Sequence, residues 1–188
     1  MKTFIEFLED NLGEILYGFG DDAESAELPF QIVKFSKGPF QKTTTYSTLG
    51  LSNHILASPE NEMEIRQELI MVSYSEFGDE GIPGILHQVG MSILKDHSAL
   101  LRGDVIGPYG SLFDDSNLEA LYSSIPVYFH DSFHSYDIDT NSSILMTWLI
   151  PITSQEAGFI SKQGWDSFED ILEEKDPDLV DFYRESIV

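Results

Sequence analysis

Between residues 63 and 74 the chain changes character in a way few folds accommodate. Met63, Ile65, Leu69 and Met71 share one parity and Glu64, Arg66 and Glu68 the other, which is the alternation of a strand with one face buried. At the far end Ile70 and Val72 make both parities apolar, so that end must be covered on both faces. A long strand inside a layered sheet is expected.

Around it the pattern is helical at the ends and β-rich between. Phe4, Leu8 and Leu12, with Ile5, Ile15 and Leu16 nearby, have amphipathic spacing, and Thr3 and Glu6 fit a capping box. This predicts a helix over 3–17, ended by Gly18 and Gly20 and followed by an exposed acidic connection over 21–27. Strands are expected at 31–35 and 43–49. Gly78, Gly81, Pro83 and Gly84 lead into a helix over 85–101, with Ile85, Leu86, Val89, Ile93 and Leu94 as its apolar stripe. A helical or turn segment is expected near 117–123, and strands near 125–129 and 144–150. Thr153 and Glu156 form a second capping box behind Pro151, starting a helix to about 161. Two short helices complete the reading. The first carries Phe168, Ile171 and Leu172; the second starts at Pro177 with Asp176 as its cap and turns Leu179, Val180 and Tyr183 inward. Without βαβ alternation, this is an α+β fold: one domain over 1–188, with a mixed, mostly antiparallel sheet flanked by helices at both chain ends.

Charge narrows the function. Ten Lys and Arg against 33 Asp and Glu give a net charge of -23. The 13 Phe, 8 Tyr and 2 Trp, well spread along the chain, argue for a packed core rather than disorder. Such an acidic surface repels phosphates, so neither nucleic acid nor an anionic membrane is an expected partner. With no cysteine there is no disulfide, thiolate nucleophile or Cys-based zinc site. The start of the chain shows no leader pattern, and no apolar run approaches the roughly 20 residues of a membrane span. A soluble, cytoplasmic protein is expected.

Catalytic signals are weak. His130 and His134, with Asp131, Asp137 and Asp139 nearby, could place two imidazoles on one helical face for a metal-assisted hydrolase, but the glutamate of a His-Glu-x-x-His motif is missing. Residues 137–141 resemble the opening of a calcium loop, yet Ser142 stands where the turn glycine belongs and Trp148 where the bidentate glutamate belongs. Gly18-Phe19-Gly20 lacks the rest of a dinucleotide fingerprint, and there is neither a phosphate loop nor a nucleophile elbow. Arg66 and Arg102 are the cations expected to pair with carboxylates. No catalytic residue, metal or cofactor is expected.

The distribution of charge is more informative. From 103 to 161 there is no Lys or Arg, while Asp104, Asp114, Asp115, Glu119, Asp131, Asp137, Asp139 and Glu156 are acidic. A continuous negative field of this kind steers a cationic partner, with association reaching about 10⁸–10⁹ M⁻¹s⁻¹ in favourable cases. Asp104, Asp114, Asp115, Asp131, Asp137 and Asp139 are the candidate partner-binding residues.

Three segments carry a resemblance. They are Thr45-Tyr46-Ser47-Thr48-Leu49-Gly50-Leu51-Ser52 followed by Glu64-Ile65-Arg66-Gln67-Glu68-Leu69; then Leu101-Arg102-Gly103-Asp104-Val105-Ile106; then Trp148-Leu149-Ile150-Pro151-Ile152-Thr153 with Glu156 and the closing 181–186 run. In order and spacing the chain resembles the suppressor-of-fused (SUFU-like) domain in its small bacterial form. The resemblance implies an α+β domain without known catalysis. It also implies an immunity protein or antitoxin that binds and blocks a toxin domain, often a basic nuclease. Tyr46, Gly50, Glu68, Trp148 and Pro151 read as core and turn positions of that fold. Besides the metal-assisted hydrolase, a peptide-binding signalling adaptor is a third reading.

Overall fold

The computed structural model describes residues 2–19, 28–61, 63–79 and 81–188. In chain order the elements are α1 (Phe4–Leu12), β1 (Ile15–Phe19), β2 (Gln31–Phe35), β3 (Thr43–Leu49), β4 (Leu56–Ala57), β5 (Glu64–Tyr74), α2 (Ile82–Asp96), β6 (Val105–Ile106), β7 (Leu118–Ser124), β8 (Ser135–Asp137), β9 (Ser143–Thr153), α3 (Ser154–Gln163) and α4 (Trp165–Lys175). The fold is α+β and its strand pairing mostly antiparallel, as expected. The chain divides into two compact units, one of Met1–Leu100 with Ile125–Trp148, the other of Leu101–Ser124 with Leu149–Val188.

In the first unit the strand order is β1-β2-β3-β5-β9, with β4 on β5 and β8 on β9. The pair β5–β9 is parallel, running from Arg66 opposite Ile144 to Ile70 opposite Trp148. Ile82, Leu86, Val89 and Ile93 form the buried face of α2, which packs on β2, β3 and β5. This helix starts earlier and ends earlier than expected, because Gly81 and Pro83 open it rather than precede it and His97 closes it in the left-handed region. The first helix is shorter than the expected 3–17. Its capping box forms as read, but Gly13 ends it at φ 78° and Ile15–Phe19 pairs with β2 instead. An L side chain at Gly13 would be strained there and would also meet Ser36. The acidic connection over 21–27 lies outside the described residues.

The middle strand covers both faces at its far end, as the sequence predicts: from Gln67 to Ser73 every residue of β5 is buried. The alternation fails at Glu68, which sits on the polar parity yet is fully buried. Tyr46 and Trp148 are core residues and Gly50 is a left-handed turn at φ 103°, as their place in the resemblance implies.

In the second unit the order is β9-β7-β6, and β6 pairs antiparallel with β7. Tyr122 meets Phe168 edge-on and Phe113 stacks on Phe182 at 4.7 Å. The 117–123 segment is a strand rather than a helix or turn. Leu118, Leu121 and Tyr122 have helical spacing, but both faces of β7 are covered, and a doubly buried strand carries no alternation to read. Residues 125–129, expected as a strand, are turns closed by Val127 N–H to Ile125 O and Phe129 N–H to Pro126 O. No helix follows Pro177: Asp176 is the left-handed C-cap of α4 rather than the cap of a new helix. Leu179 and Val180 are buried as expected, whereas Tyr183 is exposed. Among the described residues no helix is long and apolar enough to cross a membrane.

Candidate partner-binding surface

The six aspartates singled out in the sequence fall three to each unit. In the second, Asp114 and Asp115 are exposed, and Asp104 is half-buried with its carboxylate accepting the Leu101 N–H at 2.7 Å. In the first, Asp131, Asp137 and Asp139 are exposed. Asp139 accepts the Asn141 N–H at 2.7 Å within the turn joining β8 to β9, so this stretch forms a tight hairpin, a local use of aspartate that competes with other roles. Glu156 leaves the expected negative field altogether, because it is fully buried.

His130 uses Nδ1 to accept the Ser132 N–H, capping the short helical turn Asp131–Phe133. The Nε2 of His134 is buried without a hydrogen-bond partner among the described residues. No group of three or more His, Asp or Glu there is arranged to hold a metal ion.

Three charged centres fix the backbone. Glu68 accepts from the Gly50 and Ser52 amides, each at 3.0 Å, and from the Thr48 and Ser52 hydroxyls. Burial pushes its carboxyl up despite these four donors. Arg66, expected to pair with a carboxylate, instead donates to the Ser52 and Asn53 carbonyls of the same turn. Lys34, Tyr17 and Tyr46 converge on Asp79; burial alone would raise that carboxyl, but the three donors outweigh it and hold it below its ordinary value. In the second unit Arg184 forks onto Glu156 at 2.7 and 2.9 Å and also donates to Pro151 O. Glu156 closes its capping box with Thr153 and accepts the Ile187 N–H at 3.1 Å. The sequence reading missed this pair, whose partners are 28 residues apart.

Arg102 does pair, as expected, and bidentately: it bonds both oxygens of Glu169 and lies over the Trp165 ring at 5.3 Å. Burial, then the hydrogen bond to Glu169, raises the phenol of Tyr122 well above its ordinary value.

Beside this cluster runs a groove of about 560 Å³ between the 103–108 loop and α3. Val105, Pro108, Ala157, Gly158 and Ile160 line it, with Asp104 the only charged residue in the lining. Sequence reasoning did not find it; a glycine inside α3 was the available signal. This unit offers an anionic surface with an apolar recess.

Comparison with known proteins follows the same lines. Immunity protein YqcF of Bacillus subtilis (strain 168) is 25% identical over 173 residues, spanning 90% of this chain and 86% of that protein. The crystal structure of a SUFU homolog from Neisseria gonorrhoeae FA 1090 superposes with TM-score 0.74 at 19% identity, covering 97% of this chain and 91% of that one. The Sufu-Fu complex structure gives TM-score 0.70 at 14% identity, over 97% and 90%. The family described as Suppressor of fused protein (SUFU) matches residues 26–185, and the chain belongs to that family.

Proposed function

We propose that this chain is a cytoplasmic immunity protein that neutralises a cognate, cationic toxin domain of nuclease type by occluding its working surface. The observation that carries the reading is the likeness to Immunity protein YqcF over 90% of the chain. Charge supplies the partner's chemistry. A nuclease grips phosphates with Lys and Arg, and a surface with no cation from 103 to 161 complements that groove. Asp104, Asp114, Asp115, Asp131, Asp137 and Asp139 are the proposed contact residues. Occlusion needs complementary shape and charge but no reacting group, which suits a surface of hydrated carboxylates and turns.

Co-expression with any toxin domains found encoded beside its gene tests the reading. One of them should lose its toxicity when this chain is present and form a complex with it at equal stoichiometry. Full toxicity of every such domain at saturating levels of this chain contradicts the proposal.

A further inference from the structure

We infer that the groove between the 103–108 loop and α3 is an anchor site for a cationic protein segment bearing one large aliphatic or aromatic side chain. The inference rests on the proposed immunity role and gives it a location.

Val105, Ala157 and Ile160 give the groove an apolar floor between the polar residues Asp104, Ser154 and Ser161, and its volume of about 560 Å³ is in the range of roughly 300–1,000 Å³ typical of ligand pockets. Gly158 keeps it open. A Cβ built there meets nothing within 4 Å, so packing does not exclude a side chain, and a glycine within a helix weakens it relative to alanine. At one end the Trp165 indole packs so closely on Gly103 that a Cβ would lie 2.5 Å from the ring, yet 41% of this residue remains exposed. Next to Pro108, Tyr109 is 80% exposed. Apolar recesses flanked by exposed aromatic residues are where protein interfaces concentrate their binding energy.

Charge selects the occupant. The lining contributes Asp104 and no cation. The cations of this unit are Arg102, Lys162, Lys175 and Arg184, against 14 Asp and Glu; Arg102 and Arg184 are paired with Glu169 and Glu156, while Lys162, next to the lining residue Ser161, and Lys175 keep their charge. Exposed carboxylates dominate what remains, which favours a segment whose other side chains are Lys or Arg and disfavours a phosphate backbone.

The probes are two peptides of equal length and charge, one alternating Lys with Leu and the other Lys with Ser, titrated against the full chain and its Gly158→Phe variant. The wild type should bind the Lys–Leu peptide about tenfold more tightly, a difference within reach of one buried apolar side chain, and Trp165 fluorescence should report it. In Gly158→Phe that preference should vanish with no fall in the thermal unfolding midpoint; if this variant fails to fold, Ser161→Trp, at an exposed lining position, repeats the test. Equal affinities in the wild type, or a preference that survives the filled groove, overturns the inference while leaving charge-driven neutralisation intact. Absence of binding by either peptide also overturns it, and the co-expression result decides the immunity role separately. Self-association of the wild type that Gly158→Phe abolishes assigns the groove to a second copy of this chain and overturns it too.

Discussion

Among the described residues each of the two units buries one glutamate completely, Glu68 in the first and Glu156 in the second, and they treat it differently. Glu68, in the first, is held by two amides and two hydroxyls drawn from 48–52, without a cation. Glu156, in the second, faces Arg184, which reaches it from a closing segment with no regular structure beyond α4. The first arrangement spreads one charge over several local neutral donors and pins a turn. The second adds to two amides, those of Thr153 and Ile187, a full opposite charge from one distant side chain, and the packing of the chain's end depends on that partner. A distributed site should tolerate an isosteric neutral replacement; a paired site should not tolerate loss of either member.

The largest effect should come from Arg184→Ala, which leaves Glu156 buried and unpaired, at a cost of about 3–5 kcal/mol. Urea unfolding measures it, and a loss under about 1 kcal/mol breaks the comparison. Glu68→Ala strands four donors and should cost about 2–3 kcal/mol, with Glu68→Gln nearer 1 kcal/mol because its amide carbonyl keeps the Gly50 and Ser52 bonds. Equal losses for the Ala and Gln variants would show that Glu68 acts as a charge after all. Acidity sharpens the same contrast. Because the fold raises the Glu68 carboxyl, its bound proton favours the fold fully below the ordinary carboxylate value, and that contribution is lost as pH rises through the raised one. The deficit of Glu68→Gln relative to wild type should therefore shrink as pH rises through that window.

What could be read in the sequence was what is local. Both capping boxes, Thr3 with Glu6 and Thr153 with Glu156, form as their spacing indicates. The covered end of β5 follows from apolar residues on both parities. Errors arose where tertiary burial overrides periodicity. Leu118, Leu121 and Tyr122 look helical only because β7 is buried on both faces. Residues 177–188 carry helical signals, but Arg184 is drawn to Glu156 and Tyr183 is left outside.

The surface divides along the same line. A run of 103–161 without cations is legible from composition, but which of its acids face water is not, since Glu156 is neutralised by an arginine outside the run. The groove is less legible still. Gly103 and Gly158 stand on elements that only the fold brings together, and no sequence spacing encodes their approach.

The central claim is recognition by opposite charge, and the rate of association with the cognate toxin domain tests it most directly. Between low and high salt that rate should fall at least tenfold, with Asp114→Asn and Asp115→Asn together slowing it further at low salt only. An association rate indifferent to both salt and these substitutions would contradict the account.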